Sequence, residues 1–226
     1  FNAKILRLID FPNQRKIHKI PTPVIGGIAI FIATYVSTYF LNLPYLLNLI
    51  LNCSLIVVFV GIIDDVFSLG ITSIILTHIF ASLIIISAGL QVENLGSIFS
   101  YNDFNLGIFS IFFTILAVAG LINAINFIDG IDGLSSGFFI ISFFSIILFS
   151  NNYLFSQFTI IYILLINSFI FLFFNFGFIT KIKIFLGDAG STFLGFILAW
   201  LLIYYSSKEV GTLDAVATIW CVTIPV

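Results

Sequence analysis

The chain has 226 residues, of which 61% are hydrophobic and only 8% are charged, and its formal net charge at pH 7 is −2. A mean hydropathy of +1.23 excludes a soluble monomer and predicts an integral membrane protein. No nucleic-acid partner is expected. The two cysteines, Cys53 and Cys221, lie in apolar segments without metal-ligand spacing, so we expect buried thiols.

Apolar segments long enough to cross a bilayer run along the whole chain. A helix needs about 20 apolar residues to span the hydrocarbon core. Eight segments approach this length, the last of them cut short, and they are 24–43, 45–66, 71–91, 107–125, 133–150, 154–176, 190–206 and 214–226. The sequence therefore predicts an all-α, polytopic bundle of transmembrane helices that forms a single domain over residues 1–226.

The basic residues predict the orientation of this bundle. Cytoplasmic loops are enriched in Lys and Arg. Only Lys208 of the 8 Lys and Arg residues falls on one side of the predicted bundle. The other seven share the opposite side, and they are Lys4, Arg7, Arg15, Lys16, Lys19, Lys181 and Lys183. The alternation of spans then puts four polar stretches on the cytoplasmic side, at 1–23, 64–70, 126–132 and 177–189.

Each acidic stretch has a structural explanation beside a functional one. The adjacent carboxylates Asp64 and Asp65 indicate a bound cation, or they mark a hydrated helix end. Asp129 and Asp132 are three residues apart, which predicts one side of a helical turn, and the glycine after each suits close backbone approach or helix packing. For Asp188, the functional explanation is a metal ligand at a helix start whose backbone N–H groups bind an anion, and the structural explanation is an N-cap.

The coincidence of these stretches favours the functional explanation. A carboxylate at bilayer depth costs about 2.5 kcal/mol or more, so a chain this apolar needs a reason to keep acids. Three acidic, glycine-bearing stretches reach one face together with a basic fourth. The basic residues Arg15, Lys16, His18 and Lys19 would hold phosphate or anchor on anionic lipid. We therefore predict a cytoplasmic-face site for a magnesium-bound nucleotide diphosphate.

Four motifs occur in the order, spacing and topology of a known family. They are Arg15-Lys16-x-His18 with Pro21-x-Pro23-x-x-Gly26-Gly27, Asp64-Asp65, Asn123-x-x-Asn126-x-x-Asp129-Gly-x-Asp132-Gly-Leu134, and Gly187-Asp188-x-Gly190-Ser191. With these motifs the chain resembles the polyprenyl-phosphate N-acetylhexosamine-1-phosphate transferases of glycosyltransferase family 4. The first motif is most similar to the undecaprenyl-phosphate GlcNAc-1-phosphate transferase branch, whose members begin O-antigen, enterobacterial common antigen or teichoic-acid linkage synthesis.

The resemblance implies a phosphotransferase in the bacterial cytoplasmic membrane. Undecaprenyl phosphate would attack the β-phosphorus of a UDP-N-acetylhexosamine such as UDP-GlcNAc, release UMP and form a lipid-diphosphate sugar. The implied cofactor is Mg²⁺, with Mn²⁺ as an alternative. The implied partners are the two substrates and membrane lipids, and a homodimer is left open.

The resemblance also implies roles for individual residues. Asp188 and Asn126 would contact the metal. Asp64 would deprotonate or orient the lipid phosphate, Asp65 would support metal or phosphate, and Asp129 would order the catalytic site. Asp132 would accept hydrogen bonds from the uracil. The other residues assigned to substrate binding are Lys16, His18, Lys19, Asn123, Gly187 and Ser191.

Two departures from the family pattern qualify this prediction. Family members carry a Lys or Arg shortly after the Asp-Asp motif, but residues 66–73 contain none, and Lys19, Lys181 or Lys183 would have to replace it. The usual first span is expected before Phe1, and a His-rich cytoplasmic loop with further spans is expected after Val226. We therefore expect the piece as given to be inactive by itself.

Two other functions remain open from the sequence. The first is the phospho-N-acetylmuramoyl-pentapeptide transferase branch of the same family, which serves peptidoglycan synthesis and usually differs at the first motif. The second is a membrane transporter. A transporter would have its polar groups near the bilayer midplane, whereas these acids cluster at one end of the predicted spans.

Overall fold

The computed structural model describes residues 8–11, 20–95, 104–150, 158–178, 183–207, 210–214, 218 and 221–222. The predicted phosphate-binding residues Lys16, His18 and Lys19 lie outside the described residues, as does Lys181.

The described part of the chain is mainly helical, as predicted. Its elements in chain order are β1 (Ile9–Asp10), β2 (Thr22–Pro23), α1 (Gly26–Tyr39), α2 (Tyr45–Phe67), α3 (Ile71–Ser87), a 3-10 turn (Gly107–Phe109), α4 (Ser110–Ile128), α5 (Leu134–Phe149), α6 (Thr159–Asn175) and α7 (Asp188–Ser206). Seven of the eight predicted segments therefore correspond to helices. The eighth, from residue 214 onward, falls mainly outside the described residues.

Three of these helices are long and apolar enough to cross a membrane. They are Tyr45–Phe67, Gly107–Ile128 with its 3-10 turn, and Asp188–Ser206. The four remaining apolar helices have 14 to 17 residues, which is shorter than the predicted segments. The described residues thus fold as expected of a helical membrane protein and include three helices long enough to cross a bilayer, and a count of eight spans is not confirmed.

Helix α7 lies at the centre of the bundle. It packs against α1, α2, α4 and α5, and every residue from Ala189 to Tyr205 is buried. Large side chains such as Phe193, Phe196 and Trp200 are fully buried along it. Because neighbouring helices surround α7, its first residue, Asp188, is held at a junction of several elements.

A short β-ribbon, which the sequence did not predict, covers the N-terminal end of α7. Strands β1 and β2 pair antiparallel, and Val24 then forms a parallel bridge with Phe185 in the segment before α7. The backbone N–H groups of Gly26 and Gly27 donate to the carbonyls of Phe185 (3.0 Å) and Leu186 (2.9 Å). The Pro-x-Pro-x-x-Gly-Gly motif therefore fixes the approach to α7 through its backbone.

Candidate active site

A cavity of about 760 Å³ opens where α7 begins. The end of α2, the turn after α4, the segment before α7 and the β-ribbon all contribute to its walls. It gathers six of the predicted site residues, which are Asp64, Asp65, Asp129, Asp132, Gly187 and Asp188. The sequence-based prediction that separated acidic stretches meet on one side of the molecule agrees with this arrangement.

Asp65 caps α7 from a different helix. Its Oδ1 accepts a hydrogen bond from the backbone N–H of Asp188 (2.8 Å), and its Oδ2 accepts one from that of Ala189 (3.1 Å). The N-cap residue itself is Gly187, and no side chain caps the helix from that position. The alternative that Asp188 is an N-cap is therefore wrong, because Asp188 is already the first helical residue. A carboxylate at a helix start is also favoured by the helix dipole.

The glycines around this cap allow direct backbone contact between helices. A Cβ at Gly27 would lie 2.0 Å from the Cα of Gly190, and one at Gly61 would lie 2.5 Å from the Cα of Ala189. Gly187 has a φ of +80°, and a Cβ there would lie 2.4 Å from the Cγ1 of Val24 and 2.9 Å from the Oδ2 of Asp65. These glycines serve close packing, as small residues do in membrane helices.

Asn126 connects α4 to the start of α7. Its Nδ2 donates to the Oδ1 of Asp188 (3.0 Å) and to the Oγ of Ser191 (2.9 Å). The structure therefore brings together the two predicted metal contacts and one predicted substrate-binding residue. Metal coordination uses an amide oxygen, whereas here the amide nitrogen of Asn126 faces Asp188.

The carboxylate of Asp188 is the kind of ligand that a magnesium ion shared with substrate would use. Within the described ranges, no group of three or more His, Cys, Asp or Glu side chains is close enough to hold a metal. However, the negative charge of Asp188 interacts with those of Asp64, Asp65 and Asp129, and a cation would relieve this repulsion. Mg²⁺ is usually held by one or two carboxylates, with water and substrate phosphate completing its shell. Asp188 would supply the carboxylate of such a site, and Asn126 would contribute only by presenting its amide oxygen, since its amide nitrogen is the atom that faces Asp188 here.

Asp64 lies one residue before the capping carboxylate but has a different environment. Its Oδ1 accepts a hydrogen bond from the backbone N–H of Leu69 (2.6 Å), just past the left-handed residue Ser68 that ends α2. The side chain lines the cavity and is partly exposed. Asp64 is therefore available to a ligand, while both carboxylate oxygens of Asp65 contact α7.

Asp129 terminates α4 and is partly buried against α5. The hydroxyl of Ser135 donates to its Oδ1 (2.6 Å). Burial raises the pKa of Asp129 to about 6, and the charge of Asp188 adds to the rise, although the bond from Ser135 acts in the opposite direction. A cation bound nearby would lower this pKa again.

The predicted helical turn containing Asp129 and Asp132 is wrong, because α4 ends at Ile128. The chain then forms a turn, and Gly133 adopts a left-handed conformation with a φ of +78°. The two acids consequently have different partners. Asp132 forms an ion pair with Lys183, which belongs to the segment that leads to α7.

Asn175 is a site residue that sequence reasoning missed. It is 5% exposed at the end of α6. Its Oδ1 accepts from the backbone N–H of Gly133 (2.6 Å), and its Nδ2 donates to the carbonyl of Ile184 (2.9 Å). It thereby joins the turn after α4 to the segment before α7. The available signal was an amide at the end of an apolar segment, on the same predicted side as the acidic stretches.

Asn123 is the one predicted site residue in the described region that neither lines the cavity nor contacts residues that do. Its Nδ2 donates to the carbonyl of Ala119 within α4 (2.9 Å). The substrate-binding role assigned to it stays a prediction that this geometry does not support.

Comparison with known proteins connects this geometry to a family. The family model described as glycosyl transferase family 4 matches residues 47–206. A Salmonella typhi protein named undecaprenyl-phosphate alpha-N-acetylglucosaminyl 1-phosphate transferase is 34% identical over 227 residues, which cover 96% of this chain and 60% of that protein. Proteins of the same name from Escherichia coli K12 and Haemophilus influenzae are 32% and 33% identical, and the match covers 99% of this chain in both cases.

The chain spans 60 to 64% of the length of these curated relatives. The matched region includes α2, α4 and the start of α7, which supply Asp64, Asn126 and Asp188. The comparisons confirm the resemblance drawn from the four motifs, and the chain belongs to glycosyl transferase family 4.

Proposed function

We propose that the full-length protein transfers N-acetylglucosamine 1-phosphate from UDP-GlcNAc to undecaprenyl phosphate and releases UMP. The observation that carries this proposal is the cavity at the start of α7, where Asp64, Asp129 and Asp188 converge from three elements. The names of the relatives support the acceptor and the transferred group. Such a reaction would begin the synthesis of a cell-envelope polysaccharide.

The proposed reaction is a phosphoryl transfer between two anionic substrates. An oxygen of undecaprenyl phosphate attacks the β-phosphorus of the UDP-sugar, and the bond from that phosphorus to the bridging oxygen breaks, so that UMP leaves. The protein must hold the two phosphates in line and offset their repulsion. A bound magnesium would neutralise charge on the diphosphate, with Asp188 and Asn126 as its protein ligands.

The described side chains divide the remaining tasks. Asp64 faces the cavity and orients the phosphate of the lipid acceptor, which is already mostly dianionic at pH 7 because its second pKa is about 6. Asp65 keeps Asp188 in place through the backbone of α7. Asp129 orders the turn after α4 through Ser135.

The proposed location of the active site is the cytoplasmic side of the bacterial inner membrane. Support comes from the distribution of the 8 Lys and Arg residues, of which only Lys208 falls on the opposite side. The acids lie at helix ends and in the turns that follow them, which also argues against a transporter with a midplane site.

The proposal is tested with the complete gene expressed in bacterial membranes. Incubation with radiolabelled UDP-GlcNAc, undecaprenyl phosphate and Mg²⁺ should produce a labelled lipid that extracts into organic solvent, together with UMP. Removal of Mg²⁺ by a chelator should abolish the product. If the folded protein gives no labelled lipid with any of the UDP-amino sugars tried, the proposal is refuted. If only a UDP-muramoyl peptide gives labelled lipid, the protein would instead belong to the peptidoglycan branch of the family.

Two substitutions test the assignment of the site. Asp188→Asn and Asp64→Asn should each lower the turnover by about a hundredfold or more, because the first removes the carboxylate that would hold the metal and the second removes the carboxylate that positions the acceptor. Asp214→Asn is the matched control, since Asp214 follows the opposite end of α7 and is exposed. Equal losses in all three variants would indicate a general defect and contradict these roles.

A further inference from the structure

The described lining of the cavity is strongly acidic for a site that would receive phosphates. Its lining includes the six acids Asp10, Asp64, Asp65, Asp129, Asp132 and Asp188. Among the described residues, Lys183 is the one Lys or Arg, and it belongs to the same lining. A diphosphate that enters this space meets repulsion unless a cation compensates, and Lys183 is a fixed positive charge at hand.

The backbone that follows Lys183 is held in place by several hydrogen bonds. The carbonyl of Ile184 accepts from the buried Asn175, and the N–H of Phe185 donates to the carbonyl of Pro23 (2.9 Å). The carbonyl of Leu186 accepts from Gly27. Lys183 therefore projects from an anchored segment that leads directly to Asp188, and its ammonium group is held over the cavity by Asp132.

The present partner of Lys183 is easily displaced. Its Nζ contacts the Oδ2 of Asp132, and the two side chains are 47% and 34% exposed. Exposed ion pairs contribute little to stability, so replacing this carboxylate by another anion costs little free energy. A phosphate has more charge and more acceptor oxygens than a carboxylate, and it can therefore compete for the lysine.

We propose that Lys183 binds the diphosphate of the nucleotide-sugar donor and that Asp132 holds the lysine ready until the donor arrives. This inference rests on the proposed function. It also accounts for the absence of a Lys or Arg in residues 66–73, because the cation comes from the segment before α7 instead.

Kinetics of the full-length protein separate the donor from the lipid acceptor. Lys183→Gln should raise the KM for UDP-GlcNAc by about tenfold to a hundredfold, the usual range for a lost charge-assisted hydrogen bond, and should change the KM for undecaprenyl phosphate by less than about twofold. Lys183→Arg keeps the charge and should recover most of the loss. Lys208→Gln, on the opposite side in the predicted orientation, is the control. A raised KM for the lipid alone would overturn the proposal.

Equilibrium binding separates phosphate recognition from disruption of the ion pair. The ratio of the affinities for UDP and uridine measures what the phosphates contribute. Lys183→Gln should reduce this ratio by about tenfold, whereas Asp132→Asn should leave it unchanged or increase it, since the lysine is then free. Equal reductions in both variants would mean that only the ion pair matters, and would overturn the proposal.

The failure of this inference differs from failure of the proposed function. If the wild-type protein labels lipid and Lys183→Gln has normal constants for both substrates, only the role of Lys183 is refuted. If the wild-type protein labels no lipid and does not bind UDP, the proposed function itself is refuted, and the role of Lys183 fails with it.

Discussion

The cavity has two walls that are built by different means. The wall formed by the end of α2 and the start of α7 is supported from behind by backbone contact, with Gly27 of α1 against Gly190 and Gly61 against Ala189. The opposite wall is the turn of residues 129–133, which is held by side-chain links through Ser135, Lys183 and Asn175. The first wall fixes Asp188 rigidly, and the second leaves Asp132 partly exposed.

The difference shows that similar sequence motifs can serve opposite structural purposes. Both walls carry an Asp next to a Gly, as Gly187-Asp188 and Asp129-Gly130. A Cβ at Gly130 would meet nothing within 4 Å, whereas one at Gly187 would lie 2.4 Å from the Cγ1 of Val24, and Gly27, Gly61 and Gly190 near it also lack space for a Cβ. The glycines of the first wall allow helices to touch, and Gly130 leaves room on the cavity side. Substitutions in the two walls should therefore have unequal effects on stability.

The largest expected effect comes from Gly27→Ala. Its Cβ would lie 2.0 Å from the Cα and 2.3 Å from the N of Gly190, and backbone atoms cannot move aside cheaply. We expect a loss of about 3 kcal/mol or more in the free energy of unfolding, at the upper end of overpacking effects. Thermal unfolding of the full-length protein in detergent measures the loss. Gly130→Ala is the matched control and should unfold like wild type; equal losses would remove the distinction between the walls.

A smaller effect is expected from Asp65→Ala. The change leaves the N–H groups of Asp188 and Ala189 without acceptors at the start of a buried helix, which should cost about 2 kcal/mol of unfolding free energy. Activity should fall as well, because Asp188 loses its fixed position. Asp64→Asn provides the contrast, since an amide oxygen can still accept from Leu69 and stability should persist while activity is lost. A stable, fully active Asp65→Ala protein would contradict the capping role.

The turn wall should respond more weakly to Asn175→Ala. This change removes two neutral hydrogen bonds, to Gly133 and Ile184, each of which contributes about 1 kcal/mol at most. We expect a loss of about 1 kcal/mol in the free energy of unfolding. We also expect a rise in the KM for the donor, because Asn175 no longer links the turn of residues 129–133 to the segment that carries Lys183. Asn167→Ala, which removes a link from α6 to Thr34 far along the chain, is the control. A rise in KM in both variants would argue against a local effect.

The sequence predicted the helices and the meeting of the acids for simple physical reasons. Long apolar segments must be helical in a bilayer, and the alternation of spans decides which loops share a side. It could not separate Asp64 from Asp65, because neighbouring residues on a helix point in different directions and only the packed structure reveals which one reaches α7. The turn of residues 129–133 was also missed, since a spacing of three fits a helix as well as a turn.

The smallest expected effect is that of Asn123→Ala, and it bears on how far the turn wall extends into α4. Asn123 belongs to the same motif as Asn126 but lies about one helical turn earlier, and it bonds to the carbonyl of Ala119 in its own helix. Such a bond competes with helix geometry and adds little stability, so the substitution should change the free energy of unfolding by about 0.5 kcal/mol or less. Activity in the radiolabel assay should stay within about twofold of wild type, whereas Asn126→Ala, which breaks the contacts to Asp188 and Ser191, should lose most of it. If Asn123→Ala instead raises the KM for the donor tenfold, the substrate-binding role predicted from the motif holds, and the wall must extend one turn deeper when substrate is bound.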